Sequence, residues 1–119
     1  MGMNYSLLIY ENSTDFAART DPEKKEAYWA AWPPYSQALE DAGVFVSGAS
    51  LQPPGSAATV KLRNEQRLVQ DGPFADTKEQ LGGFFIINVP DLYSALDWAV
   101  RCPRMPGAVI EVRPNLPTC

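Results

Sequence analysis

At 119 residues, with 45% hydrophobic side chains, the chain has the length of one domain and enough apolar surface for a core without disulfides. A net charge of −4 and the lack of any Lys/Arg run argue against direct nucleic-acid binding. No stretch approaches the ~18 apolar residues of a membrane span, and Met1 to Tyr10 lacks the basic start of a signal peptide, so the cytoplasm is the expected location.

In chain order, Asn4 to Tyr10 reads as a strand with a continuous apolar centre at Leu7, Leu8 and Ile9. Glu11 to Asp15 reads as a loop. Thr20 and Glu23 have capping-box spacing, with Asp21 and Pro22 as an alternative helix start. The helix is expected to reach Asp41, burying Tyr28, Ala31, Tyr35, Ala38 and Ala42, with a kink or break at Pro33-Pro34. Gly43 ends it. Val44 to Leu51 is a second strand. Ala58 to Arg63 and Arg67 to Gln70 form a hairpin across Asn64-Glu65-Gln66. Gly82 to Val89 is the most hydrophobic strand. Asp91 caps a second helix with Leu92, Ala95, Leu96 and Ala99 on one face, stopped by Cys102-Pro103. Ala108 to Arg113 is the last strand.

This order, β-α-β-hairpin-β-α-β, is α+β and ferredoxin-like (split βαβ), with a hairpin inserted before the central strand. Two helices cover one face of an antiparallel sheet. Nothing in the chain is left for the other face, which would include Tyr10, Phe84 or Phe85, and Glu111. A homodimer closing face to face is the simplest solution.

The chain has no histidine, and its two cysteines, Cys102 and Cys119, lack metal-ligand spacing. No metal and no cofactor are expected. Cys102 should pack near a helix end, and Cys119 is a terminal thiol with no assigned bridge. Ser-His-Asp and Cys-His catalysis are excluded within the chain, leaving acid–base work to Asp, Glu, Lys, Tyr or Cys.

The densest polar chemistry lies in Asp71 to Ile87, which begins as a turn and feeds a glycine pair into a strand. Asp71 and Glu111 are the candidate catalytic groups. For Asp71 the competing reading is a carboxylate that accepts N–H groups of its own turn. Lys78 and Glu79 face either a ligand or solvent. Gly82 and Gly83 either admit a ligand close to backbone or mark a bulge or close strand crossing. Glu111 and Arg113 point at the uncovered face, as an ionic element of a dimer or as ligand-binding groups. Tyr10, and with it Tyr5, offers a phenol to the same cavity or simply packs. Phe74 is expected to anchor the loop into the core.

These residues carry a resemblance. Leu7-Leu8-Ile9-Tyr10, Leu51-Gln52-Pro53-Pro54, Thr59-Val60, Asp71-Gly72-Pro73-Phe74, Lys78-Glu79, Gly82-Gly83-Phe84 and Glu111-Val112-Arg113-Pro114 resemble the DGPF branch of the YCII-related family. The likeness runs from Asn4 to Pro114. It implies a bacterial, dimeric α+β barrel with a cavity between the sheet and its partner. It also implies a functional link to an extracytoplasmic-function sigma factor. The wider group is associated with a His-Asp active site, but here the segment before Glu111, Arg104 to Ala108, holds no histidine, so an imidazole mechanism does not carry over.

Two function classes remain. One is a non-catalytic small-molecule-binding or regulatory homodimer, which the missing histidine favours. The other is a small-molecule enzyme, lyase or dehydrochlorinase-like, using Asp, Glu or Lys chemistry.

Overall fold

Strand β1 (Met3–Glu11) alternates along its whole length. Tyr5, Leu7, Ile9 and Glu11 are buried on one face, while Asn4, Ser6, Leu8 and Tyr10 lie half-buried on the other. That period of two sets the layers of the computed structural model, which describes residues 2–117.

A short helix α1 (Ser13–Ala18) follows, then α2 (Lys25–Ala30), α3 (Trp32–Asp41) and strand β2 (Phe45–Ser50). A hairpin, β3 (Ala58–Arg63) and β4 (Gln66–Asp71), precedes β5 (Gln80–Val89), helix α4 (Leu92–Arg101) and β6 (Val109–Pro114). The main sheet has the order β2-β5-β1-β6 with every neighbouring pair antiparallel, which is the ferredoxin-like arrangement. The hairpin forms a separate two-stranded sheet.

The core joins Tyr5, Leu7 and Ile9 of β1 to Phe85, Ile87 and Val89 of β5 under Tyr35 and Leu39 of α3 and Ala95 and Ala99 of α4. Each fully buried Leu or Ile here contributes about 1.5–3 kcal/mol relative to exposure. Tyr35 satisfies its buried hydroxyl by donating to the Trp98 carbonyl at 2.6 Å.

Two local expectations change. Glu11 to Asp15 is not a loop. Asn12 and Asp15 form a reciprocal capping box that starts α1. The expected break beside Pro33-Pro34 is present: the long helix stops at Ala31, and the prolines occupy the first turn of α3, where a missing N–H costs no bond. Thr20 and Glu23 form no capping box, since no side chain caps α2, although Asp21 accepts the Glu23 N–H at 2.8 Å. Other boundaries hold. Asp91 caps α4 by accepting from the Ser94 N–H at 2.9 Å, and Gly43 takes φ +71° after α3. The Asn64-Glu65 turn has both residues at positive φ, the geometry that matches the twist of a two-residue hairpin.

The molecule is a slab of 46 × 45 × 18 Å, one sheet and one helix layer thick. Its radius of gyration is 16.1 Å, against roughly 13.5 Å for a compact chain of this length. The hairpin accounts for the excess, because its residues are exposed almost throughout. Among the described residues, no helix or strand covers the sheet face opposite the helices, as expected. Phe84 lies there and Phe85 lies in the core.

Candidate functional site

Glu11 occupies the position where the core-facing alternation of β1 calls for another apolar side chain. It is 1% exposed, so its charge requires partners in place of water. The capped helix α1 turns the chain back so that Arg19, directly after it, reaches over the end of β1. Arg19 Nη2 donates to Glu11 Oε1 at 2.9 Å and to the Gly82 carbonyl at 3.0 Å. Arg19 Nη1 donates to the Leu51 carbonyl. Its Nε donates to the Tyr28 hydroxyl at 2.9 Å, and that hydroxyl donates to both Glu11 oxygens at 2.8 Å.

Aromatic rings enclose the guanidinium. Its central carbon lies 4.9 Å from the Phe16 ring centre, 5.4 Å from Trp29 and 5.5 Å from Tyr28. Burial pushes the Tyr28 phenol well above its usual range, and the neighbouring Glu11 carboxylate pushes it further. Tyr28 therefore stays protonated and acts as a donor, not as a phenolate base. Four of the five guanidinium N–H groups are used within the chain, leaving one on Nη1 without a hydrogen-bond acceptor among the described residues.

This network forms the floor of a cavity of about 230 Å³ between α2, α3 and the β5–β2 edge of the sheet. Trp32, Phe45 and Phe85 wall it with aromatic surface, and Ser36 and Ser50 add hydroxyls. The Trp32 and Phe85 rings stack at 6.2 Å. Gly82 is the extra residue of a β-bulge, since Ile9 pairs with Gly83 while Tyr10 pairs with Leu81. A Cβ on Gly82 would lie 2.6 Å from Glu11 Oε1 and 3.1 Å from Arg19 Nη2. A Cβ on Gly83 would meet the Ala49 carbonyl at 2.9 Å. The glycine pair thus serves both readings, as a bulge and as bare backbone beside a cavity.

The other candidates do not gather there. Asp71 ends β4 exposed, and its carboxylate accepts no hydrogen bond among the described residues. The turn is held instead by Gly72, at φ +91°, whose N–H donates to the Ala57 carbonyl at 2.6 Å. Phe74 is not a core anchor. It is 77% exposed, with the Lys61 ammonium 5.5 Å from its ring centre, because the hairpin beside it belongs to no layer of the fold. Gln80 closes the loop instead, its Nε2 donating to the carbonyls of Ala75 at 2.7 Å and Thr77 at 3.0 Å. Lys78 borders a surface hollow beside the start of α1, and Glu79 is exposed. Glu111 and Arg113 pair with each other on β6, and Tyr10 lies half-buried on the uncovered face of β1. Tyr5 is packed in the core. Cys102 is a buried free thiol at the end of α4, as expected, while Cys119 lies outside the described residues. Among the described residues no cluster of three or more His, Cys, Asp or Glu could hold a metal ion, and no helix is long and apolar enough to cross a membrane.

A model of the YCII-related domain matches residues 3–117, nearly the whole chain. The chain belongs to the YCII-related family. An uncharacterized protein of Rhizobium meliloti (strain 1021) is 35% identical over 97 residues, covering 82% of this chain and 77% of its own length. The DGPF pattern at residues 71–74 is compatible with that membership.

Glu11, Arg19 and Tyr28 were absent from the candidates read from the sequence. One signal was available: Glu11 continues the Tyr5, Leu7, Ile9 alternation, and a charge at a core-facing register position needs a buried partner. No comparable signal marked Arg19 as that partner.

Proposed function

We propose that this YCII-related chain is a non-catalytic small-molecule-binding homodimer, with the ligand in the cavity above Glu11, Arg19 and Tyr28. The observation that carries this reading is a buried ion pair, with one guanidinium N–H left over, at the floor of an aromatic-walled cavity. A buried pair is a poor device for stability alone, because its desolvation cost offsets most of the attraction and an apolar substitute of equal volume does as well. A polar floor beneath apolar walls is what a ligand site requires. The guanidinium charge is already balanced by Glu11, so the floor favours a neutral ligand over an anion. The spare Nη1 N–H seeks an acceptor, which fits a molecule bearing one at its end. At about 230 Å³, the cavity is below the ~300–1,000 Å³ typical of drug-sized ligands, so the molecule is small.

Surface area supports the dimer. The chain exposes 8244 Å², against roughly 6,400 Å² for a monomeric protein of this mass. A regulatory role tied to an extracytoplasmic-function sigma factor, and a cytoplasmic setting, belong to the same reading through the family resemblance. A second reading, an enzyme using Glu11 as acid or base, draws on the carboxylate beneath the cavity. The pairing of its oxygens with Arg19 and Tyr28 speaks against it, because both are already held by donors of the chain itself.

The test is incubation of the purified protein with a small-molecule extract of bacterial cells, followed by native mass spectrometry. One compound retained per chain and released unchanged is expected. Release of a chemically altered compound would favour the enzyme, and no retained compound would overturn the binding reading.

A further inference from the structure

The β3–β4 hairpin is a fully paired ribbon with very little to pack against. Val60 pairs with Val69 and Leu62 with Arg67 on one face, while Lys61 and Leu68 share the other. Val60, Leu62 and Val69 are 58%, 76% and 56% exposed. An isolated two-stranded hairpin is marginally stable in water, and three or more strands or a packing surface are normally needed. The apolar face of this one therefore needs a surface that its own chain does not supply.

We infer that the hairpin is a clasp that lays its Val60, Leu62 and Val69 face on a second copy of this chain. Two observations select a second copy as the occupant. The first is area. An excess of roughly 1,900 Å² over a monomer of this mass, doubled across a symmetric pair, falls within the ~2,000–5,000 Å² of obligate homodimers. In a two-fold pair, each hairpin and each uncovered sheet face can be buried by one self-complementary interface. The second is charge. Residues 58–71 hold Lys61, Arg63 and Arg67 against Glu65 and Asp71, a net +1 in a chain of net −4, so the remainder carries −5. A basic arm on an acidic body is attractive between copies.

This inference rests on the dimer reading above, and the test separates the two. Sedimentation velocity over a dilution series would compare the parent with Leu62→Glu/Val69→Glu, whose exposed positions should leave the fold intact by circular dichroism. Hydrogen exchange would follow the amides of residues 58–71. The parent should dimerise at micromolar concentration, its hairpin amides should lose protection on dilution, and the variant should dissociate tenfold or more easily. A parent dimer with an equally tight variant, and hairpin amides exchanging alike in monomer and dimer, would overturn the clasp and leave the dimer standing. A parent that stays monomeric at micromolar concentration would overturn both.

Discussion

The Tyr28 hydroxyl lies 2.8 Å from both carboxylate oxygens of Glu11, joining the end of β1 to α2 beneath the cavity. Arg19 closes the triangle by donating to each of them. Arg19→Met would leave the Glu11 charge buried and short of its cation, a loss of about 3–5 kcal/mol. Tyr28→Phe should cost about 1–3 kcal/mol, the usual result of deleting one partner of a buried hydrogen bond. The double variant Glu11→Leu/Arg19→Met should be more stable than Arg19→Met alone, because no orphan charge remains. Urea unfolding at one fixed protein concentration measures all three. A double variant less stable than Arg19→Met would contradict the pairing argument.

Gly82 leaves room for this pair. Gly82→Ala places a methyl group 2.6 Å from Glu11 Oε1 in a buried, hydrogen-bonded setting, and overpacking of that kind costs about 1–3 kcal/mol. Gly55→Ala meets nothing within 4 Å and should stay within ~0.5 kcal/mol of the parent. Equal urea midpoints for the two variants would show that the bulge gives way freely.

Phe74 and Leu39 make a second contrast. Leu39 is fully buried in the core, and Leu39→Ala should cost about 2–5 kcal/mol. Phe74→Ala should change the stability of the monomeric chain by no more than ~0.5 kcal/mol, since the ring is largely exposed. Urea unfolding at one low, fixed protein concentration checks both. A large loss for Phe74→Ala would mean that the loop packs more deeply than the fold shows.

Stability should fall at alkaline pH. Burial pushes the Cys102 thiol from 9.0 up to about 12, and it raises the Tyr28 and Tyr35 phenols further still. The unfolded chain releases these protons from about pH 8.5–10. The native state keeps them, so the unfolded state binds fewer protons and stability decreases as pH rises. The contribution is intact below about pH 8.5 and is lost progressively toward pH 12. Urea midpoints should be flat from neutrality to that point and then decline, and Cys102→Ala should soften the first part of the decline. A midpoint unchanged through pH 10.5 would contradict these shifts.

The fold was legible because its signals are periodic. The continuous apolar centre Leu7-Leu8-Ile9 and the apolar run before Pro90 mark two central strands, and the Asp91 cap marks a helix start. The hairpin was legible from Lys61 and Arg63 alternating with Val60 and Leu62. Its isolation was not, because alternation marks an apolar face without saying what covers it. The site was the least legible part. The Asp-Gly-Pro-Phe run drew attention because turn chemistry and ionisable groups are dense there, yet it builds an exposed loop. The buried network uses one residue each from β1, the end of α1 and α2. It depends on a bulge at Gly82 and a break beside Pro33-Pro34, each signalled on its own but with nothing in the spacing to show that they converge on Glu11. Two expectations failed for the same reason. Asn12 and Asp15 looked like loop polarity and are a cap. Thr20 and Glu23 had cap spacing, but the chain there is turning to present Arg19.

The cavity itself is the central claim, and filling it is the direct test. Ser36 lies on α3, lines the cavity and forms no hydrogen bond among the described residues, so Ser36→Phe takes up cavity space while Glu11, Arg19 and Tyr28 are all retained. The measurement is calorimetric titration of parent and Ser36→Phe with the compound that the parent retains from extract. The account predicts affinity at least tenfold weaker in the variant, with the urea midpoint preserved. Equal affinity in the two proteins would place the ligand elsewhere and contradict it.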